Sequence, residues 1–411
     1  MKYLFLYILL LSAGFGLRLF IGELSGEDTF MQLMWIANYV LVFTMVGRRK
    51  SFWKAVVSPK MIPILVLFLY LLLSSAWSID ASKTFRRSTA LILSYLAAIA
   101  LVYTMDRQKV YWVFKRFFQI VLLSIPIIIL VDPNLVLTSR MQHDGAWAGP
   151  FNHHNTLGRI AALSCVFWML NHEIAKSKLL NFVLIGSSLF LIFMSQSEGA
   201  ILFFFLALAV LLMIHLKRVS KVLNYLYLYL VGSAGIVILF SYKLVLGLFN
   251  KSADLTGRVY LWEKAITDVS HNPILGFGYN VYWEYYTSSF NSLSPEITLG
   301  WDAPHSHNGY IELLLAGGIV GLLLYGIVLY GLAKSIALFK TTDLNRHYTF
   351  ALILVVFILF TGLFINSPFV RNDINLFLFL YAYGVLRSFR GTRNLSIAEL
   401  PTKKTLKTLN Q

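Results

Sequence analysis

Apolar runs long enough to cross a bilayer follow one another from the third residue to the last fifth of the chain. Each crossing takes about 20 residues as a helix. In hydrocarbon only helices and closed barrels satisfy their own backbone, and none of these runs shows the period-two alternation that a barrel strand needs. The predicted fold class is therefore all-α, a polytopic membrane bundle of about 12 transmembrane helices. The first nine spans are read at Tyr3–Phe20, Thr29–Gly47, Met61–Trp77, Ser88–Met105, Val110–Val131, Thr156–Ile174, Leu180–Gln196, Gly199–Leu216 and Val222–Phe249. The last three fall at Gly309–Leu332, Tyr348–Asn366 and Ile374–Phe389. Lys2 followed by an apolar stretch has the look of a signal peptide, but eleven further spans follow it, and it reads as a retained anchor.

With 58% apolar and only 13% charged residues, against roughly a quarter charged in soluble domains, the chain has no room for a separate soluble domain. Any active site must be built from span ends and loops. The excess of 35 Lys+Arg over 19 Asp+Glu gives a net charge of +16. In a membrane protein that excess points to cytoplasmic loops and anionic lipid rather than to nucleic acid. The single cysteine, Cys165, sits inside an apolar run, so an internal disulfide is impossible and thiol chemistry is not expected.

Twelve spans with both termini on one side put 24 of the 35 basic residues on that side and 11 on the other. The positive-inside rule makes the richer side cytoplasmic. This divides the chain into residues 1–249 with nine spans, a large outer loop at 250–308, three C-terminal spans within 309–390 and a basic cytoplasmic tail at 391–411. A second outer loop spans 132–155. Other loops are short, and long loops without low complexity are more often functional than idle, so the chemistry is expected on the outer face.

The large loop contains TGRVYLWEKAITDV, where Val259, Trp262, Ile266 and Val269 form a helical stripe with Arg258, Lys264 and Asp268 off it, as in a helix resting on the membrane surface. Arg258 lies in its first turn. Its planar fork beside free helix N–H groups suits a phosphate; an interfacial arginine meeting lipid headgroups has the same appearance. HNPILGFGYNVYWEYY follows, in which Pro273, Gly276 and Gly278 force turns and the aromatics either belt the interface or stack on a sugar face. The loop ends in DAPHSHNGYIELLLAGGIVG, which puts His305, His307 and Asn308 at the mouth of the tenth span. Histidine is the usual general base near neutral pH, and no HExxH or cysteine cluster accompanies the pair, so proton handling is read ahead of a metal site. Gly317 and Gly321, four apart, suit close helix packing.

The second outer loop, SRMQHDGAWAGPFNHHNTLGR, brings Arg140, His143, His153, His154, Asn155 and Arg159 to the mouth of the sixth span. Arginine near bilayer depth costs about 2.5 to 3.5 kcal/mol on insertion scales. Arg86, Arg87, Arg159 and Arg371 therefore call for anionic partners, which Glu198, Asp373 or a phosphorylated substrate can supply.

Taken with SSAWSIDASKTFRRS, GAWAGPFNHHNTLG, SQSEGA, TGRVYLW with NPILGFGYNVYW, and HSHNGYIELLLAGGIVGL, in that order, the sequence resembles the O-antigen ligase and O-antigen and exopolysaccharide polymerase superfamily. GAWAGPF and GYNVYW look most like the exopolysaccharide-polymerase branch. The resemblance implies an inverting, metal-independent glycosyltransferase without a cofactor at the outer face of the bacterial inner membrane. Its donor would be an undecaprenyl-diphosphate-linked glycan and its acceptor a saccharide or a lipid A-core. His307 would be the base that activates the acceptor, and Arg258 would hold the diphosphate. The sequence departs from the pattern at Glu198, where a basic residue commonly follows the SxS motif, and at Ala148 and His154, which are also often basic. Either Arg140, Arg159 or Arg87 takes over that charge, or the donor is held differently; His305, Asn308, His153 and Asn155 complete the expected substrate-binding set. A transporter or flippase without transferase activity is the alternative, and it would call for mid-span ionisable residues or paired broken helices. A purely structural envelope protein would need neither histidine-rich mouth.

Overall fold

The computed structural model describes residues 2–16, 29–137, 145–175, 177–220, 222–227, 229–230, 233, 258–285, 305–337, 345–364 and 369–388. Arg140 and His143, most of the ninth expected span, two stretches of the large loop and the basic tail lie outside the described residues. Within them the architecture is helical, with a single isolated bridge between Leu137 and Trp147 and no strand.

The N-terminal part holds α1 (Lys2–Ser12), α2 (Thr29–Val46), α3 (Lys50–Val56), α4 (Ile62–Leu73), α5 (Ala81–Thr104) and α6 (Arg107–Val131). Next come α7 (His154–Leu170), α8 (Lys178–Met194) and α9 (Glu198–Val219), then the loop helix α10 (Arg258–Val269). The last three are α11 (Gly309–Ala337), α12 (Arg346–Phe364) and α13 (Ile374–Ser388). Among the described residues six helices, α2, α5, α6, α9, α11 and α12, are long and apolar enough to cross a membrane, while α1, α4, α8 and α13 are shorter apolar helices. A helix lies at each of the eleven expected spans other than the ninth, and the few described residues of the ninth, 222–227, 229–230 and 233, are helical as well. The protein is a multi-pass membrane protein.

Helix starts follow local chemistry. Asp80, Asp106, Ser177 and Ser197 each accept a backbone N–H from the first turn of the helix that follows them, which satisfies donors that a helix end leaves open. The Asp80 cap starts α5 seven residues before the expected span, and so carries Arg86 and Arg87 on a helix rather than in a loop. The helices pack α7 on α8 and α9, α11 on α4, and α13 on α5 and α12, around one large apolar core.

The tenth span is not continuous. Gly318 has φ 60° and ψ −159°, which breaks α11 within its third turn. Residues 273–278 of the large loop fill the break. Phe277 N–H donates to Leu315 O at 2.7 Å and Gly278 N–H to Ala316 O at 3.2 Å. In return Ile319 N–H donates to Pro273 O at 2.8 Å and Val320 N–H to Ile274 O at 3.3 Å. Backbone groups freed from the helix are thus paired by protein, the condition for irregular backbone at membrane depth. The approach demands glycine on both sides: a Cβ at Gly276, whose φ is +69°, would sit 2.6 Å from Leu315 O, and one at Gly318 would overlap Ile274 O. Tyr70 on α4 closes the other side, donating to Gly317 O at 2.7 Å. A Cβ on Gly317 would lie 2.9 Å from the Tyr70 ring, so this glycine does permit close helix packing.

The loop also has a core of its own, made of Leu261, Ala265, Val269, Phe277, Tyr282, Trp283 and Leu315. This corrects the expected orientation of α10. Its buried stripe is Leu261, Ala265 and Val269, while Ile266 is 56% exposed. Lys264 and Asp268, expected to face solvent, turn inward. Lys264 Nζ lies 2.7 Å from both Asp268 carboxylate oxygens, and Tyr282 Oη donates to Asp268 Oδ2 at 2.6 Å. The helix packs against the folded loop through a stripe other than the predicted one, and the buried charges are balanced by each other.

Candidate functional site

The tenth-span mouth is built around a tight turn. Asn308 caps α11, its Oδ1 accepting N–H groups from Tyr310 at 3.0 Å and Ile311 at 3.2 Å. His307, just before it, has φ 55°, in the left-handed region that costs a non-glycine residue about 1–3 kcal/mol. Three neighbours hold it there. His305 Nδ1 accepts the His307 N–H at 3.1 Å, and the two rings are 4.2 Å apart between centroids. Ser306 is buried; its N–H donates to Glu312 Oε1 at 2.6 Å and its carbonyl accepts from Trp262 Nε1 at 2.8 Å. Trp283 Nε1 donates to the same Glu312 oxygen at 2.7 Å. The turn is thus tied to α10, to the loop core and to the first turn of α11 at once.

Arg258 is the first residue of α10, matching its expected place in the first turn, and it is half-buried. Its charge reaches two partners from other segments. Glu198, in the first turn of α9, attracts it, and His305 feels it as a repulsion. Burial, with the Arg258 charge adding to it, pushes the His305 imidazole down to about 4, so His305 is neutral at neutral pH. Glu198, the acidic residue that departs from the pattern, therefore lies near enough to attract Arg258, and Arg258 lies near enough to His305 to repel its proton, beside His307.

The sixth-span mouth is ordered separately. His153 caps α7, with Nδ1 accepting the Asn155 N–H at 3.0 Å. His154 is buried, with Nδ1 2.8 Å from Ser195 O, and its ring lies 4.4 Å from that of His153. Arg159 donates through Nε to Asn155 O at 3.1 Å and through Nη2 to Thr156 Oγ1 at 3.4 Å, while Asp373, ahead of α13, attracts it. Gly158 lets α7 press on the turn before α9, since a Cβ there would overlap Ser195 Oγ.

Arg87 is only 4% exposed and bonds to the Asn280 carbonyl and the Glu284 carboxylate. Lys83 joins the same carboxylate at 2.8 Å. Burial pulls the Glu284 carboxyl up, and hydrogen bonds from Lys83 and Arg87 overcome it and hold the group below the ordinary carboxylate range. The anionic partner of Arg87 is thus Glu284, which the sequence reasoning had not named.

Among the aromatics of the large loop, Phe277, Tyr279, Tyr282 and Trp283 are buried, so these four neither belt an interface nor offer a sugar platform, whereas Tyr285 is 58% exposed. Tyr279 shows why: its hydroxyl donates to Phe369 O at 2.7 Å and accepts the Arg371 N–H at 3.2 Å, while its own N–H donates to Ser74 Oγ at 3.1 Å. It pins the loop to the segment before α13 and to the end of α4. Sequence reasoning also passed over Glu312. An acid in the first turn of an apolar span was a usable signal, because it suits the helix dipole yet cannot be buried unpartnered. Among the described residues no three His, Cys, Asp or Glu side chains converge as a metal site.

Comparison with known proteins bears on this same region. Residues 180–326 match the family model described as O-antigen ligase. That stretch contains Glu198, Arg258, His305, His307, Asn308, Glu312 and the break at Gly318; Arg87, His153, Asn155 and Arg159 precede it. A segment of 101 residues is 37% identical to the exopolysaccharide production protein ExoQ of Rhizobium meliloti (strain 1021). It covers 24% of this chain and 23% of that protein, so the likeness spans about a quarter of the relative's length. The resemblance to the O-antigen ligase and polymerase superfamily is supported by both.

Proposed function

We propose, from the match of residues 180–326 to the O-antigen ligase family model, that this protein is a membrane glycosyltransferase of ligase or polymerase type. It transfers a glycan from an undecaprenyl-diphosphate-linked donor to a saccharide or lipid A-core acceptor. The reaction takes place at the outer face of the bacterial inner membrane, in a chain of about twelve spans with both termini cytoplasmic. The observation that carries the reading is the meeting of Arg258, His305 and His307 at one helix mouth, with His307 held in a left-handed turn.

In this reading the acceptor hydroxyl gives its proton to His307 as its oxygen attacks the anomeric carbon. The bond from that carbon to the diphosphate oxygen breaks, the configuration inverts, and the lipid diphosphate leaves with the bonding pair. Arg258 takes up the charge that develops on the leaving oxygens through its planar fork. No metal and no cofactor take part. His305, pushed down to about 4, is a poor base at neutral pH; that supports giving the base role to His307 and a positioning role to His305. Asn308 shapes the turn as the α11 cap. Arg159, with His153 and Asn155, forms the second mouth and is proposed as a further donor contact, as is Arg140 outside the described residues. Arg87, already paired to Glu284, contributes by holding Asn280 and the loop rather than by a free charge.

The transporter reading calls for paired broken helices around a central site. Among the described residues the break at Gly318 is closed by loop backbone, which supports the enzyme instead. Purified protein in detergent, without any gradient, should consume a lipid-diphosphate oligosaccharide and release lipid diphosphate. Donor that stays intact over many hours with acceptor present would refute the reading. Reporter fusions test the orientation: a periplasmic signal after Gln411 would overturn it.

A further inference from the structure

Opposite the site, the ends of α6, α7, α9 and α12 line an open cavity of about 520 Å³, within the range of small-molecule sites. Its position follows from connectivity. α11 starts at the His307 mouth and ends at Ala337, and α12 begins at Arg346, so Arg346 stands at the far end of the bundle. α9 likewise starts with Glu198 beside Arg258 and brings Arg218 to that far end.

The cavity has two kinds of wall. Leu170, Leu211 and Ile214 form an apolar side. His215, Arg218 and Arg346 form a polar rim above it. Glu173 holds the Arg346 guanidinium from one side, Nη1 to Oε2 at 2.7 Å and Nη2 to Oε1 at 2.8 Å. Of the five N–H donors on an arginine that pairing occupies two, so the fork is oriented while donors remain. Arg218 stands on α9 across the rim and is exposed. An apolar wall with two guanidinium groups at its rim, at the end of the bundle away from His307, matches an amphiphile with an anionic head.

We propose that this cavity binds an anionic glycerophospholipid of the leaflet opposite His307, its phosphate between Arg218 and Arg346 and the start of one acyl chain against Leu211 and Ile214. The site is independent of the transfer chemistry, so its test does not depend on that reading. The full-length protein, delipidated in detergent, is heated with phosphatidylglycerol, phosphatidylcholine or inorganic phosphate. Phosphatidylglycerol should raise Tm by several degrees, as a ligand bound to the folded state does, and the other two should leave it unchanged. Arg218→Gln should lose that rise while keeping the lipid-free Tm, and Leu211→Trp, which fills the apolar half, should lose it as well. An equal rise with phosphatidylcholine would mean a general detergent effect, and an equal rise with phosphate would mean a free-anion site. Either result, or an undiminished rise in both variants, overturns the proposal.

Discussion

His305 Nδ1 accepts the backbone N–H of His307 at 3.1 Å. An imidazole nitrogen that accepts carries no proton, so His305 holds its proton on Nε2 and is the neutral tautomer. The same bond braces His307 in a left-handed turn that a non-glycine residue does not adopt for free. One ring therefore fixes the position of the other without competing for the same proton.

Removing the base should be far more costly than removing its brace. General-base contributions run to about 10² to 10⁴ in rate, so His307→Ala is expected to lose that much transfer in an assay of purified, normally folded protein. His305→Ala should lose less. Near-normal turnover by His307→Ala would take the residue out of the mechanism.

Glu312 tests whether the turn itself matters. Its Oε1 accepts from both Ser306 N–H and Trp283 Nε1–H, and glutamine keeps that acceptor whereas leucine does not. Glu312→Gln should retain most activity. Glu312→Leu should lose about 10²-fold in kcat, the scale of a small misplacement of a reacting group, with the donor KM little changed. The prediction fails if the leucine variant, folded to the wild-type Tm, turns over normally.

For Arg258 the fork matters as well as the charge. Charge-assisted hydrogen bonds contribute about 1.5 to 3 kcal/mol each, so Arg258→Ala should lower kcat/KM for donor by roughly 10- to 100-fold or more. Arg258→Lys should recover only part of that. Steady-state kinetics with varied donor would decide it: wild-type values for both variants rule out a diphosphate contact here.

The neutral His305 also predicts a pH dependence of stability. Its native value of about 4 lies below the ordinary 6.5, so between those limits the unfolded chain binds the proton more readily than the folded one. The contribution is present above pH 6.5 and is lost as pH falls toward 4. Tm measured across that window should fall in the wild type and fall less steeply in His305→Asn; parallel curves would show that His305 does not titrate this way.

Closing the helix break depends on backbone contact at Gly276. Ala at this position meets Leu315 O at 2.6 Å and a φ of +69°, so Gly276→Ala should lower Tm by several degrees and reduce transfer. Gly326→Ala, on the same α11 with nothing within 4 Å of its Cβ, should be neutral. Equal stability of the two variants would mean that the loop is not seated in the break.

The features legible in the amino-acid sequence lie within a few residues of the signals that specify them. Apolar runs specified the helices, Asn308 the start of α11, Arg258 the head of a loop helix, and Gly276 and Gly278 the turns between them, because periodicity, capping and backbone freedom act over one or two turns of chain. Which charges meet depends on contacts between distant segments. Arg87 finds Glu284 at 197 residues' separation, and Arg258 is attracted by Glu198 and repels a proton on His305, both distant in sequence. The same holds for burial. Lys264 and Asp268 look solvent-facing until Tyr282 supplies the hydrogen bond that lets them turn inward, and Gly318 is an ordinary helix glycine until residues 273–278 arrive to pair the backbone it releases. A partner brought by folding changes the cost of burying a polar group by more than any local propensity, and the local sequence carries no record of that partner.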